Sequence, residues 1–233
     1  RRQADPIGNL VMRWIARRAL ADVDEAKRVK ELSESGLPLY RRDVSTADLT
    51  PTSKPHGMYF SVERDGFSTP FEDAGDTDFR RLGLDLSDKS VLKVKDFRVE
   101  HARFGDLGSG EVSAGVAALK ELTGPKLFSK LIKMNKDELI EELESRFPGP
   151  DYSRYYDSYE LLEAFGAQLA RERGYKAIHI TPQAKGAENF EEYVALTDDA
   201  AREPGTLPAG ANLRPDLDGL TVEQMVKDLG DKL

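Results

Sequence analysis

The stretch Gly174–Leu196, GYKAIHITPQAKGAENFEEYVAL, decides the fold. A glycine closes a helix, a short apolar run (Lys176–Thr181) follows, and a polar connection leads to a second run, Tyr193–Thr197. Successive side chains of an extended chain point to opposite faces. Ile178 and Ile180 therefore share a face with His179 opposite, and Glu192, Val194 and Leu196 share a face with Glu191, Tyr193 and Ala195 opposite. A carboxylate on the core-facing side of a strand is costly unless it is paired or used in chemistry. If both glutamates sit in the connection, they are simply solvated.

Upstream, Asp157–Arg173 is the clearest helix, with Leu161, Leu162, Phe165, Leu169 and Ala170 as its buried stripe and Gly174 at its end. Lys136–Phe147 reads as a charged amphipathic helix, with Asp137 and Glu138 in its first turn and Arg146 in its last. Val116–Leu122 and Pro125–Met134 read as two short helices, and Pro148-Gly149-Pro150 as a break. Candidate strands are Pro38–Asp43, His56–Glu63 and Ser90–Val99, while 63–88 reads as a long acidic insertion that is Gly-rich over Asp65–Asp78.

At the start, apolar residues recur at three and four over 7–35, which predicts a long helix with a basic front (Arg13, Arg17, Arg18) that Gly36-Leu37-Pro38 stops. Thr221–Leu233 predicts a terminal helix beyond the Pro- and Gly-rich segment 203–216. The expected organisation is a helical extension (1–36), a main domain (37–202), and a linker with a short helix (203–233). Strands and helices without regular alternation argue for α+β, not a doubly wound sheet.

With 39% apolar and 33% charged residues, 233 residues can bury a sizeable core. A net charge of −8 gives no general footprint for nucleic acid. There is no cysteine, which removes thiol nucleophiles, disulfides and zinc-thiolate sites and suits a reducing compartment. No apolar run is long enough to span a membrane. The chain does not start with Met, and an excised part of a longer polypeptide is expected, without a signal peptide. GDLGSG at 105–110 is not followed by Lys-Ser/Thr, so it is not a P-loop. His56, His101 and His179 lack metal-ligand spacing. His56 suits a turn, and Asp198-Asp199 suit the capping of a following helix.

Three positions carry the candidate chemistry. Arg41 ends the first strand, with Leu39 on its face and Tyr40 and Arg42 opposite; a guanidinium there can fork onto a phosphate or serve as an ordinary surface charge. Ser61 follows Met58-Tyr59-Phe60 and shares a face with Tyr59, a ring that can stack on a flat ligand or simply pack. Glu192 is the third.

In order, LYR (39–41), YFS (59–61), a helix leading to GYKAI (174–178) and EEYVAL (191–196) resemble ADP-ribosyltransferases with an Arg-Ser-Glu triad. The likeness is greatest to the branch found in phage and polymorphic-toxin polypeptides, and it covers about Leu37 to Ala201. The resemblance implies an ADP-ribosyltransferase-like split β-sandwich that holds NAD in a cleft. It implies that Arg41 contacts the NAD phosphates or nicotinamide ribose, Ser61 braces the site, and Glu192 bonds the ribose 2′-hydroxyl. Tyr59 and Tyr40 join the NAD-contacting set, Glu191 is the alternative catalytic carboxylate, and Ser68 in Gly66-Phe67-Ser68-Thr69 competes for the serine position.

The expected reaction is mono-ADP-ribosyl transfer from NAD to a protein or nucleic-acid acceptor, protein ahead of nucleic acid, in the cytoplasm of a producing or target cell and away from membranes. The alternatives are a binding module that has kept the fold and an NAD glycohydrolase. Arginine-modifying members carry an acid or Gln two residues before the catalytic Glu. Here Phe190 stands there, or Asn189 if Glu191 is used.

Overall fold

A computed structural model describes residues 17–18, 23–24, 26–42, 50–62, 77–95, 97–99, 110–181, 191–208 and 211. Two compact units are present, one of 1–35 with 205–233 and one of 36–204. In the first, residues 26–34 are helical (α1), and none of them is buried. The expected terminal helix 221–233 and the start of the expected helix 7–35 lie outside the described residues.

The larger unit is α+β, built on a mixed sheet of seven strands. They are β1 (Pro38–Arg42), β2 (Met58–Ser61), β3 (Thr77–Leu82), β4 (Val91–Lys95), β7 (Ala177–Thr181), β8 (Glu192–Ala195) and β9 (Ala201–Arg202), with a separate ribbon of β5 (Arg98–Val99) and β6 (Gly110–Glu111). The order across the sheet is β4-β7-β8-β2-β1-β3-β9. Only β4 and β7 run parallel; the other neighbours are antiparallel. The helices are α2 (Ala114–Leu131), α3 (Lys136–Arg146) and α4 (Ser158–Glu172).

The alternation expected around Glu192 holds in β7 and β8. Ile178, Ile180, Val194 and Leu196 face a core made with α2, α3 and α4. Tyr193 and Ala195 face a second core with Leu39, Met58, Phe60, Leu82, Val91 and Ala201. That second core gathers residues from both ends of the strand order, so the sheet curls around it. Each large apolar side chain withdrawn from water in this way contributes roughly 1.5–3 kcal/mol. The buried stripe expected on α4 is also observed, from Leu161 to Ala170.

Local chemistry explains the helix ends. Asp157 caps α4 by accepting from the Tyr159 and Glu160 amides at 2.9 Å each. At the other end, Gly174 has φ of 81° and donates to the Arg171 carbonyl, while Tyr175 donates to Ala170, the two bonds of a Schellman stop. Asn135 and Glu138 bond each other's backbone amides in a capping box that starts α3.

Three expectations need correction and a fourth holds. The insertion 63–88 contains β3, whose residues Thr77–Arg81 pair with β1. The run 90–99 is broken into β4 and the two residues of β5. The two short helices expected over 116–134 are observed as the two arms of α2, separated by a non-helical kink where Gly124 has φ of 74° immediately before Pro125. Asp198 and Asp199 cap no helix. Asp198 accepts from the Thr52 hydroxyl at 3.1 Å, and Asp199 pairs with Lys176 at 2.6 Å, holding the turn that leads to β9.

Candidate functional site

Ser61 and Glu192 are direct cross-strand partners in the β2–β8 ladder. Opposed residues of an antiparallel pair project to the same face, so hydroxyl and carboxylate emerge side by side. Ser61 is 1% exposed and Glu192 half-buried. Tyr40 is paired with Ser61 from the other side, across β1, and its ring leans on Phe79 with centroids 5.4 Å apart.

Beyond that one bridge β1 leaves β2. In the gap the Arg41 guanidinium donates from Nη1 to the Tyr59 carbonyl at 3.1 Å, a group that a continued ladder would have engaged. Alternation puts Arg41 on the Leu39 face, but this bond draws its charge to the split between the strands. That charge is felt at His56.

The face bearing Ser61 and Glu192 meets the N-terminus of α2. The first amides of a helix have no partner within it and favour anions and other acceptors. Here Ser113 N–H donates to the Tyr159 hydroxyl at 2.7 Å, Ala114 N–H to Glu192 Oε2 at 3.2 Å, and Gly115 N–H to the Tyr59 hydroxyl at 3.2 Å. Tyr59 is thus pinned through its hydroxyl, with its ring 6.2 Å from the His56 ring. Burial together with the carboxylates of Glu163 and Glu192 holds its phenol well above the usual range.

Glycines bring these groups together. A Cβ on Gly166 of α4 would collide with the Gly115 carbonyl of α2, and one on Gly115 would come within 2.6 Å of the Tyr59 hydroxyl. Only hydrogen at both positions lets the two helices touch backbone to backbone. The consequence is that Tyr159 and Glu163, one turn apart on α4, reach the first turn of α2 beside Glu192. Burial, and then the Glu192 charge, push the Glu163 carboxyl up to about 8 against the Ser113 hydrogen bond.

Glu191 is elsewhere. Its carboxylate contacts His179 Nε2, and alternation puts it on the face opposite Glu192. The two candidate carboxylates therefore cannot serve one site together. Ser68, and with it Phe190 and Asn189, lies outside the described residues.

The turn before β2 is fastened by a half-buried arginine. Arg171 of α4 donates to the carbonyls of Pro55 (2.6 Å), Lys54 (2.8 Å), Pro51 (3.1 Å) and Leu196 (3.1 Å). A guanidinium can satisfy several acceptors in fixed directions at once, which an ammonium cannot match. This clamp sets His56, whose Nδ1 meets the Tyr155 hydroxyl at 3.0 Å. Burial, reinforced by Lys54, Arg41 and Arg171, lowers the imidazole to about 4, so it is neutral at pH 7. On its outer side His56 borders a cleft of about 580 Å³ that Lys54, Asp151, Arg154, Tyr155 and Glu160 also line.

The chain matches no known protein family, curated protein or solved structure.

Glu163, Tyr159 and Arg171 were not among the residues expected at the site. A signal for two of them exists: Glu163 falls between the buried Leu162 and Ala164, three residues before a mid-helix glycine, and Tyr159 lies one turn before it. A carboxyl and a glycine on the inward side of one helix point to a close polar contact. Among the described residues, no helix is long and apolar enough to cross a membrane.

Proposed function

We propose that this protein cleaves NAD at the nicotinamide glycosidic bond and transfers ADP-ribose to a macromolecular acceptor, with protein favoured over nucleic acid. The observation that carries the proposal is the Ser61–Glu192 cross-strand pair, which puts one carboxylate beside a buried hydroxyl on a single face. Arg41 at the β1–β2 split supports it, because a cation near that face suits a dinucleotide's phosphates. The strand separation after one bridge is the feature that favours an ADP-ribosyltransferase-like split β-sandwich.

In this reading the bond from ribose C1′ to the nicotinamide nitrogen breaks, and nicotinamide leaves as a neutral molecule with the bonding pair. Positive charge develops on the ribose, and the Glu192 carboxylate stabilises it. An acceptor nucleophile then bonds to C1′ and loses its proton. Water in that place would make the protein an NAD glycohydrolase. Tyr59, pinned to Gly115, acts here by holding the first turn of α2 in place, with no stacking on the nicotinamide ring required.

One observation favours a second reading. Glu192 already serves a structural purpose by accepting from the Ala114 amide, which suits a binding module that has kept the fold without the chemistry.

The test is nicotinamide release from NAD by the full chain beside Glu192→Gln. Release that falls on the order of 100-fold or more in the variant is the result expected of a transition-state carboxylate. No release by the wild type, and no rise in Tm with NAD, would establish the binding module instead. Labelled NAD offered with protein and RNA acceptors then identifies which one takes ADP-ribose.

A further inference from the structure

Glu163 is a carboxyl that neither the sheet nor the proposed reaction uses. Its surroundings are the Ser113 hydroxyl, the charges of Glu192 on β8 and of Glu160 and Asp157 on its own helix, and the phenols of Tyr59 on β2 and Tyr159. The Glu163 backbone lies against Gly115 in the first turn of α2, next to the Ala114 amide that binds Glu192. Ionised, Glu163 would share that turn with the Glu192 carboxylate, and two like charges so placed repel. One proton shared by the pair removes the conflict.

The two ends of the pair are not equivalent. Glu192 accepts a peptide N–H at the start of α2, where the helix favours negative charge. Glu163 is held among carboxylates and hydroxyls, and its burial favours the protonated form. The proton therefore belongs on Glu163 and the charge on Glu192.

We propose that Glu163 is the positioning residue of the Glu192 site: it carries the proton that the pair shares, leaving Glu192 the anion that bonds the Ala114 amide. This rests on the NAD-cleaving reading for its purpose, because only the anionic form of Glu192 can stabilise a cationic ribose. When Glu163 loses its proton, two anions meet over the first turn of α2 and Glu192 is driven from the amide that orients it. Activity then declines on the alkaline side.

The experiment is a carboxyl NMR titration of the full chain with labelled glutamate, comparing wild type, Glu163→Gln and Glu192→Gln. The expected result is one wild-type carboxyl titrating near 8 that is absent from Glu163→Gln. In Glu192→Gln its midpoint should move down yet stay above the ordinary carboxylate range, because burial is the larger cause. A high-titrating carboxyl that survives in Glu163→Gln, or a midpoint that does not move in Glu192→Gln, overturns the pairing. Should Glu163→Gln fold poorly, the midpoint in Glu192→Gln decides alone.

The second readout is the pH profile of nicotinamide release. The alkaline fall of the wild type should be lost in Glu163→Gln, whatever the variant's rate at neutral pH. An unchanged alkaline fall overturns the positioning role. Absence of release from the wild type overturns the NAD reading and the purpose of the pair, while the titration, which needs no NAD, still decides the pairing.

Discussion

Ser61 and Glu192, 131 positions apart in the sequence, stand opposite each other in adjacent antiparallel strands, one fully buried and the other bonded to the first amide of α2. The serine is the smallest polar group that can fill that cross-strand position. Ser61→Ala removes a hydroxyl while leaving the strand pairing and most of the packing intact. It should cost about 1 kcal/mol of stability and lower kcat/KM for NAD cleavage about tenfold. Urea unfolding alongside nicotinamide release checks both, and an unchanged kcat/KM would remove Ser61 from the site.

Arg171 binds together three parts of the chain, the turn over 51–55, the end of β8 and α4, using carbonyls alone. Arg171→Ala leaves those acceptors without their donor and should destabilise the fold by about 3 kcal/mol or more. Arg171→Lys should recover only a small part, because one ammonium cannot reach four carbonyls. The midpoint of urea unfolding measures this, and a lysine variant as stable as the wild type would disprove the clamp.

Gly166 and Gly115 meet backbone to backbone, so neither side can give way to a new methyl group. Gly166→Ala should separate α4 from the start of α2, cost about 2 kcal/mol, and withdraw Tyr159 and Glu163 from Glu192. Thermal unfolding shows the stability loss. A variant with wild-type Tm would mean that the helices are not in contact there.

His56 and Glu163 give pH dependences of opposite sign. The His56 imidazole is lowered from 6.5 to about 4 in the folded chain, so the unfolded chain binds the proton first as pH falls. Its contribution is complete above pH 6.5 and is lost as pH drops through 4, on the order of 3 kcal/mol in full. Glu163 is raised from 4.5 to about 8, so its contribution is complete below pH 4.5 and is lost as pH rises through 8. Between pH 4.5 and 6.5 the two trends oppose each other, so urea midpoints should fall with pH there in His56→Gln and rise in Glu163→Gln, and the decline that remains from pH 6.5 to 8 should be lost in Glu163→Gln. Unaltered slopes in both variants would contradict the two burials.

The sequence by itself determined the elements whose signals are local. The stripe of α4 and its Gly174 stop lie within a turn or two of the residues they govern, and alternation in 191–196 put Glu192 on the Val194 side, where it is found. β3 gave no such signal. Thr77–Leu82 carries three charges in six residues, and it is a strand because β1 supplies its hydrogen bonds and Glu203 pairs with its Arg80 at 2.7 Å.

Tertiary structure alone decided the site. The Ala114 amide meets a carboxylate 78 residues away, and Arg171 meets a carbonyl 120 residues away. Periodicity and capping reach only a few positions along the chain, whereas the placement of Glu163 beside Glu192 depends on two glycines letting α2 and α4 touch. Whether a carboxyl is an exposed charge or a buried proton carrier is set by what surrounds it, and those neighbours come together only when the sheet and helices close on one another.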